Sequence, residues 1–251
     1  LNFGALTIAR GGLAMNGVAS LASLDGFARL RELQGALSLQ NNVDLKTLSG
    51  LQMLEKVGAV LYFYRNASLV SAALPALASV GAQVQFEDNA KLETVALSAL
   101  TSVGRYSNAD SFYFRSLPEL KAVDVGAIGE TPGGLEFTTL SATADSPLAL
   151  NFGALTIARG GLAFTAVSNS SALERFTLLR QVGGALSIRN CANLTSLTGL
   201  DALANLMGNL TVSGNPQLPT CRALSFRDRV RPIDSGASSI TGNLADNCSN
   251  G

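Results

Sequence analysis

The chain repeats a short hydrophobic rhythm. An apolar residue, one small or polar residue and a second apolar residue recur as Leu6/Ile8, Leu37/Leu39, Leu61/Phe63, Val84/Phe86 and Phe112/Phe114. The series continues with Leu135/Phe137, Leu155/Ile157, Leu186/Ile188 and Leu210/Val212, and Ile240 stands in a last, weaker repeat. Such alternation predicts a short strand with one buried face. Its middle residue points outward, because side chains alternate along a strand. Shortly after most pairs comes Asn, then two residues, then Leu. The spacing of the pairs runs from 20 to 31 residues, most often 23 or 24. One turn of this kind cannot bury its own apolar face, so turns must stack. We therefore expect an all-β-rich repeat, a right-handed parallel β-solenoid of about ten leucine-rich turns. Turns ~4.8 Å apart make a stack roughly 45–50 Å long. An ordinary parallel α/β fold would need a helix of 10 or more residues in each connection. Only residues 21–33 and 171–180 have room for a short helix each.

The asparagines sharpen this expectation. Asn42, Asn66, Asn89, Asn215 and Asn243 recur at one place in the turn, while Cys191, Leu117, Gly11 and Gly160 take that place elsewhere. An Asn amide carries two donors and an acceptor. At a bend it can satisfy backbone groups released by the strand ladder, and stacked copies can bond to one another. A longer period overlies the short one. Residues 1–14, LNFGALTIARGGLA, are repeated at 150–163. Phe27 then matches Phe176, Leu45 matches Leu194 and Gly50-Leu51 matches Gly199-Leu200. We divide the chain into a first long unit, 1–149, and a partial second unit, 150–251, whose end from about 215 closes the stack. Opening at a repeat edge and without Met, the chain is expected to be part of a longer, exported tandem array.

The stretch SLQNNVDLKTLSGLQMLEKVGAVL resembles the receptor L-domain family of leucine-rich repeats. In that family an N-x-x-L core is followed by a connector ending in Val-Gly, as at Val57-Gly58, Val80-Gly81, Val103-Gly104 and Val182-Gly183. The closing stretch from Asn215-Pro216 to Cys221, and on to Asn247-Cys248, resembles the family's C-terminal cap. The resemblance implies a recognition scaffold of secreted or cell-surface proteins without a common active site. It also implies a disulfide between Cys221 and Cys248.

Composition narrows the function further. With 18 basic and 18 acidic residues and no basic run, no nucleic-acid or anionic-membrane partner is expected. No apolar stretch is long enough to predict direct membrane insertion. The chain has no His, which removes Ser–His and Cys–His catalysis and most zinc sites. We assign no catalytic residue, no metal and no cofactor. Cys191 is expected to be a buried, inert thiol. Sequons occur at Asn66, Asn169, Asn193, Asn209 and Asn247. Asn66 belongs to the asparagine column, so the other four are the glycosylation candidates. With the cap, they favour an extracellular or cell-surface glycoprotein.

The outward positions carry the functional hypothesis. They read Thr7, Ser38, Tyr62, Gln85, Tyr113, Glu136, Thr156, Ser187, Thr211 and Ser239. With the next outward positions, Tyr62, Tyr64, Gln85, Glu87, Tyr113, Arg115 and Glu136 form one candidate ligand-binding patch. Tyr and Arg are enriched at binding hot spots. The first expectation is a non-catalytic recognition or adhesion module, with a protein or a glycan on this face. The alternatives are a structural subunit of a matrix, coat or filament, joined to copies of itself through the solenoid ends, and a polysaccharide hydrolase using paired carboxylates such as Glu87 and Glu136.

Overall fold

The computed structural model describes residues 3–104, 110–140, 148–168, 173–230 and 237–246. These residues form a parallel β-solenoid of about nine turns with a single α-helix. One side is a ten-stranded parallel sheet. Its strands are β1 (Leu13–Asn16), β2 (Leu37–Gln40), β3 (Leu61–Tyr64), β4 (Val84–Glu87) and β5 (Phe112–Leu117), then β6 (Leu135–Leu140), β7 (Leu162–Val167), β8 (Leu186–Arg189), β9 (Leu210–Ser213) and β10 (Ser238–Thr241). Shorter strands complete the other sides. One row runs from Ile8–Ala9 to Ser102–Val103, another from Ser71–Ala73 to Ala149–Asn151, and a third from Glu130–Thr131 to Asn205–Leu206. The sheet and a single hydrophobic core pass from the first long unit into the second.

Two strand assignments from the sequence need correction. Ile8 and Ile157 lie in the side rows, and the corresponding strands of the main sheet begin at Leu13 and Leu162. Both segments alternate, so alternation alone could not choose between them. The choice falls to the corner that precedes each main strand. At Gly12 a Cβ would come 2.5 Å from the Ala36 carbonyl oxygen, so the stacked backbones require glycine there. The Val-Gly steps do the same work, since a Cβ on Gly58, Gly81 or Gly183 would overlap a carbonyl of the adjacent turn.

Every main strand carries the same kink. The residue after its fourth position is left-handed at all ten strands, with φ from 52° to 68°. Gly17, Gly214 and Gly242 occupy three of these sites, but Asn41, Arg65, Asp88, Ser116, Thr139, Ala166 and Asn190 occupy the rest. The left-handed conformation costs roughly 1–2 kcal/mol for a residue with a Cβ, so seven turns hold that strain against their packing. After the kink the next residue points inward, and the Leu three positions further on closes the turn. Leu45, Leu69, Leu92, Leu120, Leu194 and Leu218 are buried there. Each donates its N–H back to the column residue, as Leu69 does to Asn66 at 3.0 Å.

Inside the main sheet runs a column of rings. Phe63, Phe86, Phe114, Phe137 and Phe164 stack with centroids 4.8–5.6 Å apart and planes within 13°. In-register parallel pairing places these rings one above the other. Aromatic contacts of this kind add ~0.5–1.5 kcal/mol each beyond the area they bury.

The helices depart from expectation. Within 21–33 only the 3-10 turn Asp25–Phe27 forms, and 173–180 holds turns, because the chain must reach the side strands at Glu32–Leu33 and Gln181–Val182. The one α-helix, α1 (Thr220–Val230), lies in the predicted cap and buries Ala223, Phe226 and Val230. The guanidinium of Arg229 donates to the carbonyls of Leu200, Asp201 and Leu203, tying the helix to the turn below.

Candidate functional site

The asparagine column forms two hydrogen-bonded ladders. Asn66 accepts at Oδ1 from the Asn42 N–H (3.2 Å) and donates from Nδ2 to the Leu39 carbonyl (2.9 Å). It also donates to Asn89 Oδ1 through its backbone (2.9 Å) and its amide (3.2 Å). Asn215 and Asn243 repeat the arrangement, with Asn215 donating to Ile188 and Asn243 to Val212. In the middle turns this place belongs to Leu117, Leu140 and Val167, all buried. There the strands lengthen to six residues, and Leu117 pairs with Leu140 and Leu140 with Val167. The expected substitutes Gly11 and Gly160 precede the strands instead, and Val18 and Val167 hold the column place in those turns. Cys191 holds it as expected. Its backbone N–H reaches Asn215 Oδ1 at 2.9 Å, and its thiol faces the Phe164 carbonyl at 3.8 Å. Burial pushes that thiol up to about 11, far from the reactive range.

The outward face of the main sheet brings the predicted patch together. In register, Tyr62 neighbours Gln85, then Tyr113, then Glu136. Beside that row, Tyr64 neighbours Glu87, then Arg115, then Thr138. Thr7 and Thr156 do not belong to the face, and Ala14 and Ala163 take their positions. The Tyr62 and Tyr64 rings lie 5.9 Å apart and nearly parallel. The Arg65 guanidinium sits 4.7 Å from the centre of the Tyr64 ring, and Arg115 sits 5.2 Å from that of Tyr113. Arg115 also stands between Glu87 (3.7 Å) and Glu136 (3.9 Å). Thr138 donates to Glu136 at 3.1 Å and Gln85 to Glu87 at 3.4 Å.

The face is therefore a connected polar network, and much of it is half-buried. Burial raises the Tyr62 and Tyr113 hydroxyls above the ordinary phenol range, with Glu87 adding to the first and Glu136 to the second. Both remain protonated donors at neutral pH. Asp110, at the edge of the patch, is pushed up to about 6 by burial and by the charge of Glu136. Exposed ion pairs of this kind contribute ~0–1 kcal/mol each, so the network shapes the surface more than it stabilises the fold. Arg65, Asp110 and Thr138 join the patch beyond the residues first assigned to it, Thr138 at the outward position that follows Glu136 on the same strand. For Arg65 the available signal was its place beside Tyr64, at the kink that breaks the alternation.

The duplication provides an internal control. Shifted by 149 residues, Leu61 matches Leu210, Phe63 matches Val212 and Asn66 matches Asn215, so in this turn the inward positions stay apolar and the column residue stays Asn. The outward positions change: Tyr62 matches Thr211 and Tyr64 matches Ser213.

The remaining sequence candidates divide simply. Asn193 and Asn209 are exposed, and Asn66 is fully buried. Asn169, Asn247 and Cys248 lie outside the described residues. Among the described residues no group of three or more His, Cys, Asp or Glu side chains could hold a metal ion, and no helix is long and apolar enough to cross a membrane.

Fold and face together define a parallel β-solenoid repeat protein. No protein-family model matches the chain, and neither the curated proteins nor the solved structures contain a significant match to it.

Proposed function

We propose that this protein is a non-catalytic extracellular recognition module that binds its ligand on the outer face of β3–β6. The observation that carries the reading is the divergence of the outward residues of β3 from those of its counterpart β9 in the second long unit. The same strand forms on Thr211 and Ser213 as on Tyr62 and Tyr64, so the fold does not require tyrosine at these positions.

The geometry favours a protein ligand over a glycan. Sugar recognition by tyrosine uses an open ring face. Here Tyr64 has Arg65 on one face and Tyr62 beside it, and Tyr113 carries Arg115. The patch thus offers ring edges, hydroxyl donors and alternating charges, which suit the mixed chemistry of a protein surface. In this reading the module is secreted or displayed, resembles the receptor L domain in its N-x-x-L and Val-Gly pattern, and is closed by a Cys221–Cys248 disulfide. It is glycosylated at Asn193 or Asn209, on exposed turns away from the patch, with Asn169 and Asn247 as further acceptors.

The test is a binding screen of the intact chain against panels of extracellular proteins and glycans. The same screen is run on the triple variant Tyr62→Ser, Tyr64→Ser, Tyr113→Ser. Loss of at least tenfold in affinity for a protein ligand, with an unchanged circular dichroism spectrum, is the expected result. Equal binding by a folded triple variant overturns the reading.

An end-to-end structural subunit is the second reading, and the exposed apolar side chains of Phe3, Ile8 and Val18 favour it. The last strand opposes it: Ser238, Ser239 and Thr241 are exposed and polar, so the two ends do not match chemically.

A further inference from the structure

Residues 1–14 and 150–163 are the same fourteen residues in two environments. In the second copy they lie between two turns. Ile157–Ala158 pairs with Glu130–Thr131 of the turn before and Gln181–Val182 of the turn after. The N–H groups of Thr156 and Arg159 donate to the carbonyls of Gly129 and Thr131, Arg159 pairs with Glu130, and Phe152 meets Phe112 and Phe137 edge-on at 5.4 and 5.7 Å. In the first copy only the following turn is present on the described side. Phe3 is 43% exposed where Phe152 is 0%, and Val18 is 37% exposed where Val167 is 1%. Phe3, Leu6, Leu13, Met15 and Val18 line an open apolar groove there. Arg10, the counterpart of Arg159, has no ion pair among the described residues.

We infer that this N-terminal face is a docking surface for one further solenoid turn. That turn has the chemistry of residues 122–140 and is added in parallel. The chain itself shows what covers this sequence: two inward apolar positions like Leu135 and Phe137, a third like Leu140, and an acid like Glu130 opposite Arg10. Leu13 and Gly17 donate toward β2, so alternation along the strand turns the N–H groups of Ala14 and Asn16 to the opposite side, where the described residues place no strand. They await the carbonyls of such a turn. The inference is independent of the tyrosine face.

The experiment places residues 110–149 directly before Leu1 of the whole chain. The new junction, Ala149 to Leu1, copies the native step from Ala149 to Leu150. Hydrogen exchange at Ala14 and Asn16 is measured in the original chain, the extended chain, and an extended control with Leu135→Asp and Phe137→Asp in the added copy. Exchange slowed at least tenfold by the extension, toward the rates of Ala163 and Thr165 in the same molecule, and not by the control, is the expected result. No slowing, or equal slowing by the control, overturns the inference. Concentration-dependent protection of Ala14 and Asn16 in the original chain also overturns it, because the occupant would then be a second copy meeting it head to head.

Discussion

Two parts of the same solenoid turn the same corner by different means. In the turns of Asn42, Asn66 and Asn89, and again at Asn215 and the half-buried Asn243, an amide reaches across to a carbonyl of the preceding strand, and those of Asn42, Asn66 and Asn215 also reach the next amide in the column. In the turns of Leu117, Leu140 and Val167 the strands run two residues further, and backbone pairs with backbone. Both arrangements follow the same left-handed kink, and both leave no buried side-chain polar atom without a partner among the described residues. The difference shows that the bend does not require asparagine. It requires that every polar group released at the kink be satisfied, by a side chain or by a longer strand. The apolar solution coincides with the last three rings of the phenylalanine column, where Phe114, Phe137 and Phe164 stack and Phe152 and Phe176 close on them edge-on.

The largest effect should come from breaking the apolar region at its centre. Phe137 contacts four other rings and is fully buried. Phe137→Ala should cost about 3–5 kcal/mol, through lost burial and the cavity left behind. Urea denaturation checks this, and a cost under about 1 kcal/mol would mean that the column repacks freely. The asparagine region is tested by Asn66→Leu, which imports the residue found at 117 and 140. A leucine cannot accept from the Asn42 N–H or donate to the Leu39 carbonyl. Stranding a buried polar group costs ~1–3 kcal/mol, so a loss of at least about 2 kcal/mol is expected for the pair. A neutral result would show that β3 can lengthen as β5 does and that the two solutions interchange.

How much of this was legible beforehand depends on the period involved. Period-two alternation located eight strands of the main sheet and brought Tyr62, Tyr64, Tyr113 and Arg115 to one face, because pleating leaves no other choice. It failed at Leu6/Ile8 and Leu155/Ile157. Those pairs alternate as well as Leu13/Met15 and Leu162/Phe164 do, and what separates them is the contact of Gly12 with Ala36 in the next turn. Restoring the right pairs narrows the spacing of main-sheet strands to 23–28 residues. The helix Thr220–Val230 went unread because its buried residues, Ala223, Phe226 and Val230, are diluted by three arginines and Asp228. Arg65 was missed for a related reason: the kink ends the alternation one residue before it.

The smallest effect sits at the border between the two regions, at Cys191. Duplication matches Cys191 to Asn42, Val167 to Val18, Phe164 to Met15 and Asn215 to Asn66. Each bond of Asn42 thus has a waiting partner. Asn42 Oδ1 accepts from the Val18 N–H at 3.0 Å, and its Nδ2 donates to the Met15 carbonyl at 3.0 Å and to Asn66 Oδ1 at 3.3 Å. At 191 the Val167 N–H already points at the sulfur, and the Phe164 carbonyl receives only the weak thiol contact at 3.8 Å. Cys191→Asn would supply a proper acceptor to the first and a proper donor to the second, and extend the ladder of Asn215 by one turn. A gain of about 0.5–1.5 kcal/mol is expected, the net worth of one well-made hydrogen bond, read as a raised urea midpoint at unchanged slope. A loss of more than about 1 kcal/mol would mean that Phe164, a larger residue than its counterpart Met15, has closed the space the amide needs. The apolar solution would then extend one turn past Val167.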